Sequence, residues 1–517
     1  MSKTELAELD EFILDGKFHE ATETFCKLAT EGHAVPNLAL HAMTTAAPYL
    51  HVPSHEKLLP NGEFRNVNYD HTILGVRAGM RLSPWLSDVE KDLGIVQGMY
   101  YIPQGLDVWA QLECGFPGHY AREQEQCPED EIGHELHCHF DDQEPLLDGS
   151  VDERFERMFH ALTLGDKVTS YRLFLGLAAE PEQRQRLQDT LLFASIIDQQ
   201  EYNSFRRVRH IGHKAIRTRA MFDLADWLGW ERAHPFFYMA VPDVCNAPIF
   251  HSLYDHASFV LNLHFKGAQF DIMTENTGAL TEEEQDALIG QIIDGDPLVV
   301  TDAITGLLKA GKAPINIADV INIAHATHSV TRLRSPIAYT VPMHSFDYAA
   351  TVNYWLRNFQ NPHQVKAIYL SAWFVTDIIH EIDAYPDLPG VAKPDPDARR
   401  DWADGIASAA LLAELEDAVF AQDPSSAVAL VRSYNQRNDG RDDLIRMLAH
   451  CAGKYQGDAH IFRNACSVID EYHLNTASQR RKDILFEFWA HYLSFYKKRT
   501  LATDCYDLYH RYFGNGR

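Results

Sequence analysis

The chain has 517 residues, with Lys+Arg 46 against Asp+Glu 73 and a formal net charge of −27. Nucleic acid and anionic membranes both demand a basic face, so this balance argues against either as a partner and suits a protein that handles small molecules. A 46% hydrophobic content gives a sizeable core, enough for two to four ordinary domains or one large repeat assembly.

In chain order, residues 5–30 read as two short amphipathic helices broken at Gly16, and 36–50 as an apolar helix. After a loop bearing Pro53, His55 and Pro60, a helix is expected over about 70–83. Residues 92–120 hold Tyr100-Tyr101-Ile102-Pro103-Gln104-Gly105 and Gly115-Phe116-Pro117-Gly118, and this Gly/Pro punctuation predicts a partly irregular segment. Residues 121–151 are polar and acidic, a surface loop. Helices are expected from Asp152 to about Glu231, an irregular aromatic stretch over 234–275, and helices again over Leu280–Lys309 and Ile315–Ala384. Asn361-Pro362 reads as an N-cap followed by proline at the first helical position. The Pro/Asp-rich stretch from Tyr385 to Pro396 is the best linker, and 398–517 reads as helical. No β-hairpin or βαβ pattern stands out, so the expected class is all-α.

A short acidic or glycine turn recurs at Asp15-Gly16-Lys17, Gly165-Asp166-Lys167, Asp294-Gly295-Asp296 and Gln422-Asp423-Pro424, roughly 130–150 residues apart. Each opens a helix, then a second apolar helix, then a helix that starts with histidine: Asn68-Tyr69-Asp70-His71, Arg209-His210-Ile211-Gly212-His213, Pro342-Met343-His344-Ser345-Phe346-Asp347 and, more weakly, Asp458-Ala459-His460-Ile461-Phe462-Arg463. This order predicts multi-helix repeat units, closed into a ring or a large helical bundle. A main helical domain is expected over 1–384, with degenerate repeats near 10–120, 155–275 and 285–384, and a C-terminal helical repeat or subdomain over 398–517.

Eight cysteines are scattered with no C-x2-C pair, which argues against a thiolate zinc site and fits a reduced, cytoplasmic setting. The stretch from Met1 to Asp15 has no apolar signal-peptide core, and no run approaches the roughly 20 apolar residues of a spanning helix. Rossmann, Walker A, G-x-S-x-G and H-E-x-x-H signatures are absent.

Twenty-seven histidines remain, and their placement is informative. His210-x2-His213-x3-Arg217 and His325-x2-His328-x3-Arg332 share one spacing, which puts two imidazoles and a guanidinium on one helix face. Neutral imidazole is a common metal ligand, and buried imidazoles need partners that a metal supplies at once. The expected metal ligands are a subset of His71, His210, His213, His325, His328 and His344. Arg217 and Arg332 would anchor an anionic group, while Asp70 and Tyr254 would handle protons. The competing arrangement is a metal-free set of hydrogen bonds to Asp70, Asp255, Asp347 and nearby hydroxyls. His134-x2-His137-x-His139 reads better as surface histidines in the acidic loop.

The stretches Asn68-x2-His71, His210-x2-His213 and His344-x2-Asp347, each opening an apolar helix, resemble those of the questin oxidase-like family, over roughly residues 60–360. That family is helical, and its namesake cleaves an anthraquinone ring oxidatively. The resemblance implies an oxygen-using oxidoreductase acting on a small apolar or aromatic molecule, and with the histidine placement the expected enzyme is metal-dependent with a histidine-lined pocket. With that oxygen chemistry and no thiolates beside the histidines, iron is the expected metal, zinc and manganese staying open, and an external reductant such as NADPH is expected beside it. The alternative is a non-catalytic helical-repeat scaffold or binding protein whose histidines are core polar residues.

Overall fold

The computed structural model describes residues 3–15, 17–47, 56–58, 64–66, 71–111, 143–197, 212–244, 255, 257–259, 262–263, 274–333, 340–384, 393–437, 440–455, 459–495 and 503–514. Among these it is all-α, with 22 α-helices. The paired extended structure is a hairpin of two three-residue strands, Glu56–Leu58 and Phe64–Asn66, too short to register as alternation in the sequence. None of the described helices is long and apolar enough to cross a membrane.

Contacts divide the chain into two compact units. Unit 1 comprises Met1–Ser83, Asp88–His251 and Asp504–Arg517; unit 2 comprises Pro84–Ser87 and Ser252–Thr503. The division falls at His251/Ser252 and not at the 385–396 stretch, because helices on both sides of that stretch share one core.

Unit 1 holds α1 (Lys3–Leu14), α2 (Phe18–Thr30), α3 (Val35–Ala46), α4 (His71–Leu82), α5 (Leu93–Gln111), α6 (Val151–Leu164), α7 (Lys167–Ala178), α8 (Arg184–Ile197), α9 (His213–Leu228) and α10 (His234–Val244). The last helix of the chain, Asp504–Phe513, packs on α2 and α5. The segment expected to be irregular over 92–120 is helical through Gln111. Its glycines do not punctuate; they let two helices touch. Gly75 and Gly79 on α4 face Gly98 and Gly94 on α5, and a Cβ on Gly79 would lie 2.1 Å from the Gly94 carbonyl oxygen. Only glycine permits such backbone contact. The 234–275 stretch likewise begins as helix α10. Phe237 packs against Phe174 (4.9 Å between centroids) and Trp230 (5.5 Å), burial that erases the amphipathic signature by which such a helix is read.

Unit 2 holds α11 (Glu282–Asp294), α12 (Pro297–Lys309), α13 (Pro314–Arg332), α14 (Thr340–Asn358), α15 (Gln364–Asp383), α16 (Arg400–Gly405), α17 (Leu411–Phe420), α18 (Pro424–Arg437), α19 (Asp442–Lys454), α20 (Ala459–Leu474) and α21 (Gln479–Phe495). Three of the four recurrent turns act as caps; at the first, Asp15 pairs with Lys17 Nζ and caps nothing. The Asp166 side chain accepts from Thr169 N, and Asp296 accepts from Leu298 N (2.8 Å) and Val299 N (3.0 Å) with Pro297 at the first helical position. Asp423 accepts from Ser426 N and Oγ. Asn361 acts earlier than expected: its Oδ1 accepts from His363 N, and α15 starts at Gln364. Trp355, Trp489, Tyr348 and Tyr369 fill the core of this unit.

Substituting Gly79→Ala should cost about 1–3 kcal/mol or more, since a methyl is forced into backbone. Gly290→Ala, in the interior of α11 with nothing within 4 Å, should gain up to about 1 kcal/mol. Denaturant melts of both variants check the contrast.

Candidate functional site

The described part of unit 2 has a polar seam running through its apolar core, built by α13, α14 and α20. The helices contribute polar residues mostly at three- and four-residue intervals: Asp319, Asn322, His325 and Ser329 on α13; His344, Asp347, Thr351 and, two residues on, Asn353 on α14; His460, Arg463, Ser467 and Glu471 on α20. All are buried.

At one end His344 Nε2 and His460 Nε2 lie 3.3 Å apart, with rings 4.8 Å between centroids at 71°. One turn further on, Arg463 Nε donates to Asp347 Oδ2 at 2.5 Å, with side chains 2% and 1% exposed. Both contacts span 116 residues, so α14 and α20 run parallel and in register, with the two histidine-led stretches side by side. His325 crosses from α13 to Ser345 Oγ (2.8 Å), and its ring meets Phe346 and Phe488 edge-on.

At the other end Asp319 pairs with Arg357, which also donates to Glu471 Oε1 at 3.1 Å. Asn353 donates to Glu471 at 2.9 Å, and Thr476 donates to Asp319 through backbone N (2.7 Å) and Oγ1 (2.8 Å). Two buried carboxylates thus share one guanidinium. Burial is the larger cause that raises the Asp319 carboxyl, to about 7; Glu471 adds to it and Arg357 opposes it. On α21, burial pulls the His491 imidazole down to about 3, with Arg432 adding repulsion.

The residues expected from sequence are distributed differently. His325 and His328 do not act together: His325 serves α14, whereas His328 Nε2 bonds Asp383 Oδ1 on α15 at 2.8 Å. Burial holds His328 below the usual imidazole range despite that carboxylate. Arg332 is 41% exposed and pairs with Asp294 at 2.6 Å, so it leaves the seam altogether. The i, i+3, i+7 spacing puts these groups near one face, but the neighbouring helices decide where each one ends. His213 and Arg217 are buried on α9 and belong to unit 1, His328 to unit 2. His71 starts α4, its side chain outside the described residues; Asp70, His210 and Tyr254 also lie outside them.

His460 and Arg463 complete the site and were not among the expected ligands. Their signal was present in the fourth histidine stretch: His460-x2-Arg463 mirrors His344-x2-Asp347 with the charge reversed. Asp319, Asn353 and Glu471 were legible only as polar positions on otherwise apolar helices. Among the described residues no group of three His, Cys, Asp or Glu side chains is placed to hold a metal. His344 and His460 offer two nitrogen donors, short of the three protein ligands usual in a catalytic centre.

His491 carries a pH signature. Its folded value lies below its unfolded one, so the stabilisation is present above about pH 6.5 and is lost as pH falls toward about 3. His491→Gln should flatten the acid limb of stability by up to about 1.4 kcal/mol per pH unit, checked by urea melts between pH 4.5 and 7.5.

No family model matches the chain, and neither a curated protein nor a solved structure matches it.

Proposed function

We propose that the protein is an enzyme of the oxidoreductase class that acts on a small apolar or aromatic molecule, with the His344–His460 end of the seam as its site. The observation that carries this reading is the juxtaposition of two buried imidazoles with a buried guanidinium–carboxylate pair on two parallel helices. An imidazole pair in contact can pass a proton between Nε2 atoms, and Arg463 beside it can stabilise developing negative charge. Asp347 holds the Arg463 side chain in place. The oxidative class rests on the resemblance of the histidine stretches to the questin oxidase-like family. Iron, and an external reductant such as NADPH, go with that oxidative class; among the described residues the donors fall short of a metal centre.

A second reading, the non-catalytic scaffold, is favoured by the Asp319–Arg357–Glu471 end, where charged groups satisfy one another and fix helix register. Oxygen uptake separates the two. With NADPH supplied, with and without iron(II), and a panel of hydroxylated aromatic ketones, the parent should consume oxygen. His344→Ala and His460→Ala should each lower the rate at least about 100-fold with helical circular dichroism retained. No uptake across the panel, or full rates in both variants, would overturn the enzyme reading in favour of the scaffold.

We also propose that the chain is four degenerate copies of a five-helix unit: α1–α5, α6–α10, α11–α15 and α17–α21. In support, the recurrent turns open the second helix of each set, and the histidine-led stretches open the fourth. In every set the second and fourth helices both pack on the fifth. In unit 1 the fourth helices α4 and α9 pack together, and in unit 2 α14 and α20 do. Superposition of the four sets on their second and fifth helices should overlay the fourth; fourth helices that diverge in direction would remove the repeat.

A further inference from the structure

The histidine end of the seam has more hydrogen-bonding capacity than its neighbours use. Arg463 touches Asp347 through Nε alone. Its Nη1 and Nη2 are buried without a hydrogen-bond partner, and so is Asp347 Oδ1. Arg463 and Asp347 are each 1% exposed. Asn322, fully buried on the seam face of α13 between Asp319 and His325, has neither amide atom bonded. At the other end of the same seam the carboxylates and the guanidinium are paired, with Asn353 Oδ1 left over, and among the described residues of unit 2 Arg463 is the guanidinium whose nitrogens stay unmet. Native cores rarely leave such groups unmet, and a charged donor least of all.

The chemistry of the unmet groups selects a ligand. Two Nη groups on a fixed planar fork match the two oxygens of a carboxylate. Asp347 already neutralises Arg463, so one added negative charge needs one balancing proton. His344 and His460, with Nε2 atoms 3.3 Å apart, are the basic side chains one turn from Arg463 on the same two helices. A dianion such as phosphate would leave a surplus charge in an apolar core. The Phe346 ring on α14 and the Phe488 ring on α21, 4.8 Å apart and both against His325, make the surroundings of this end apolar.

We propose that the Arg463 end of the seam binds the carboxylate of a small organic acid, and that the substrate of the proposed reaction is such an acid; the second clause rests on the function proposed above. The test is calorimetric titration of the full chain with benzoate and with benzamide, its neutral isostere. The parent should bind benzoate at least tenfold more tightly than benzamide. Arg463→Lys keeps the charge but loses the fork and should weaken benzoate at least tenfold. Because a lone Arg463 truncation strands Asp347, the paired exchange Arg463→Met with Asp347→Leu serves as the folded control, and it should abolish binding with circular dichroism unchanged. Equal affinity for the two probes, no benzoate binding at millimolar concentration, or binding that survives the paired exchange would each overturn the proposal. Failure here, with oxygen uptake still lost in His344→Ala and His460→Ala, removes the carboxylate alone. Benzoate binding without any oxygen uptake removes the oxidative reading alone.

Discussion

A guanidinium cannot sit inside a helical core without a carboxylate against it, and Arg463 is 1% exposed. Asp347 supplies that carboxylate, and the pair fixes how α14 and α20 lie. Slipping either helix by one turn would strand two buried charges, so the register is specified far more sharply than apolar packing alone would specify it. With that register set, His344 and His460 face each other one turn away, and Asn353 and Glu471 meet further along. The rest of the seam is a consequence of this one constraint.

The two ends of the seam use burial differently. At Asp319, Arg357 and Glu471, two acids and one base leave the region one proton short of neutrality, and desolvation answers by raising the Asp319 carboxyl to about 7. Backbone N–H, hydroxyl and amide donors complete the arrangement. At the histidine end Arg463 meets Asp347 through Nε alone, and its two Nη groups are left over.

Unit 1 joins its helices by a contrasting device. Gly75 and Gly79 on α4 meet Gly98 and Gly94 on α5, and backbone lies directly on backbone. The same unit carries charge in its interior too: Arg77 bonds Asp223 across α4 and α9 at 2.7 Å. Glycine here acts through what it lacks, a Cβ, and that role cannot be told from turn-forming glycine by composition.

The sequence by itself determined the helical class, the acidic caps and the positions where histidine leads a helix, since all three are local: capping needs a side chain two or three residues from the backbone it serves, and periodicity is read within a few turns. It also marked, in His344-x2-Asp347 and His460-x2-Arg463, two halves of complementary charge. What it did not determine was which halves meet. His325 and His328 share a spacing, yet one goes to Ser345 and the other to Asp383; Arg332 keeps the pattern and turns to Asp294 at the surface. Those outcomes depend on which helices stand beside α13, a matter of contacts between residues from 20 to more than 100 positions apart. Pattern fixes a face on a helix; only tertiary packing supplies the partner that gives that face a chemistry.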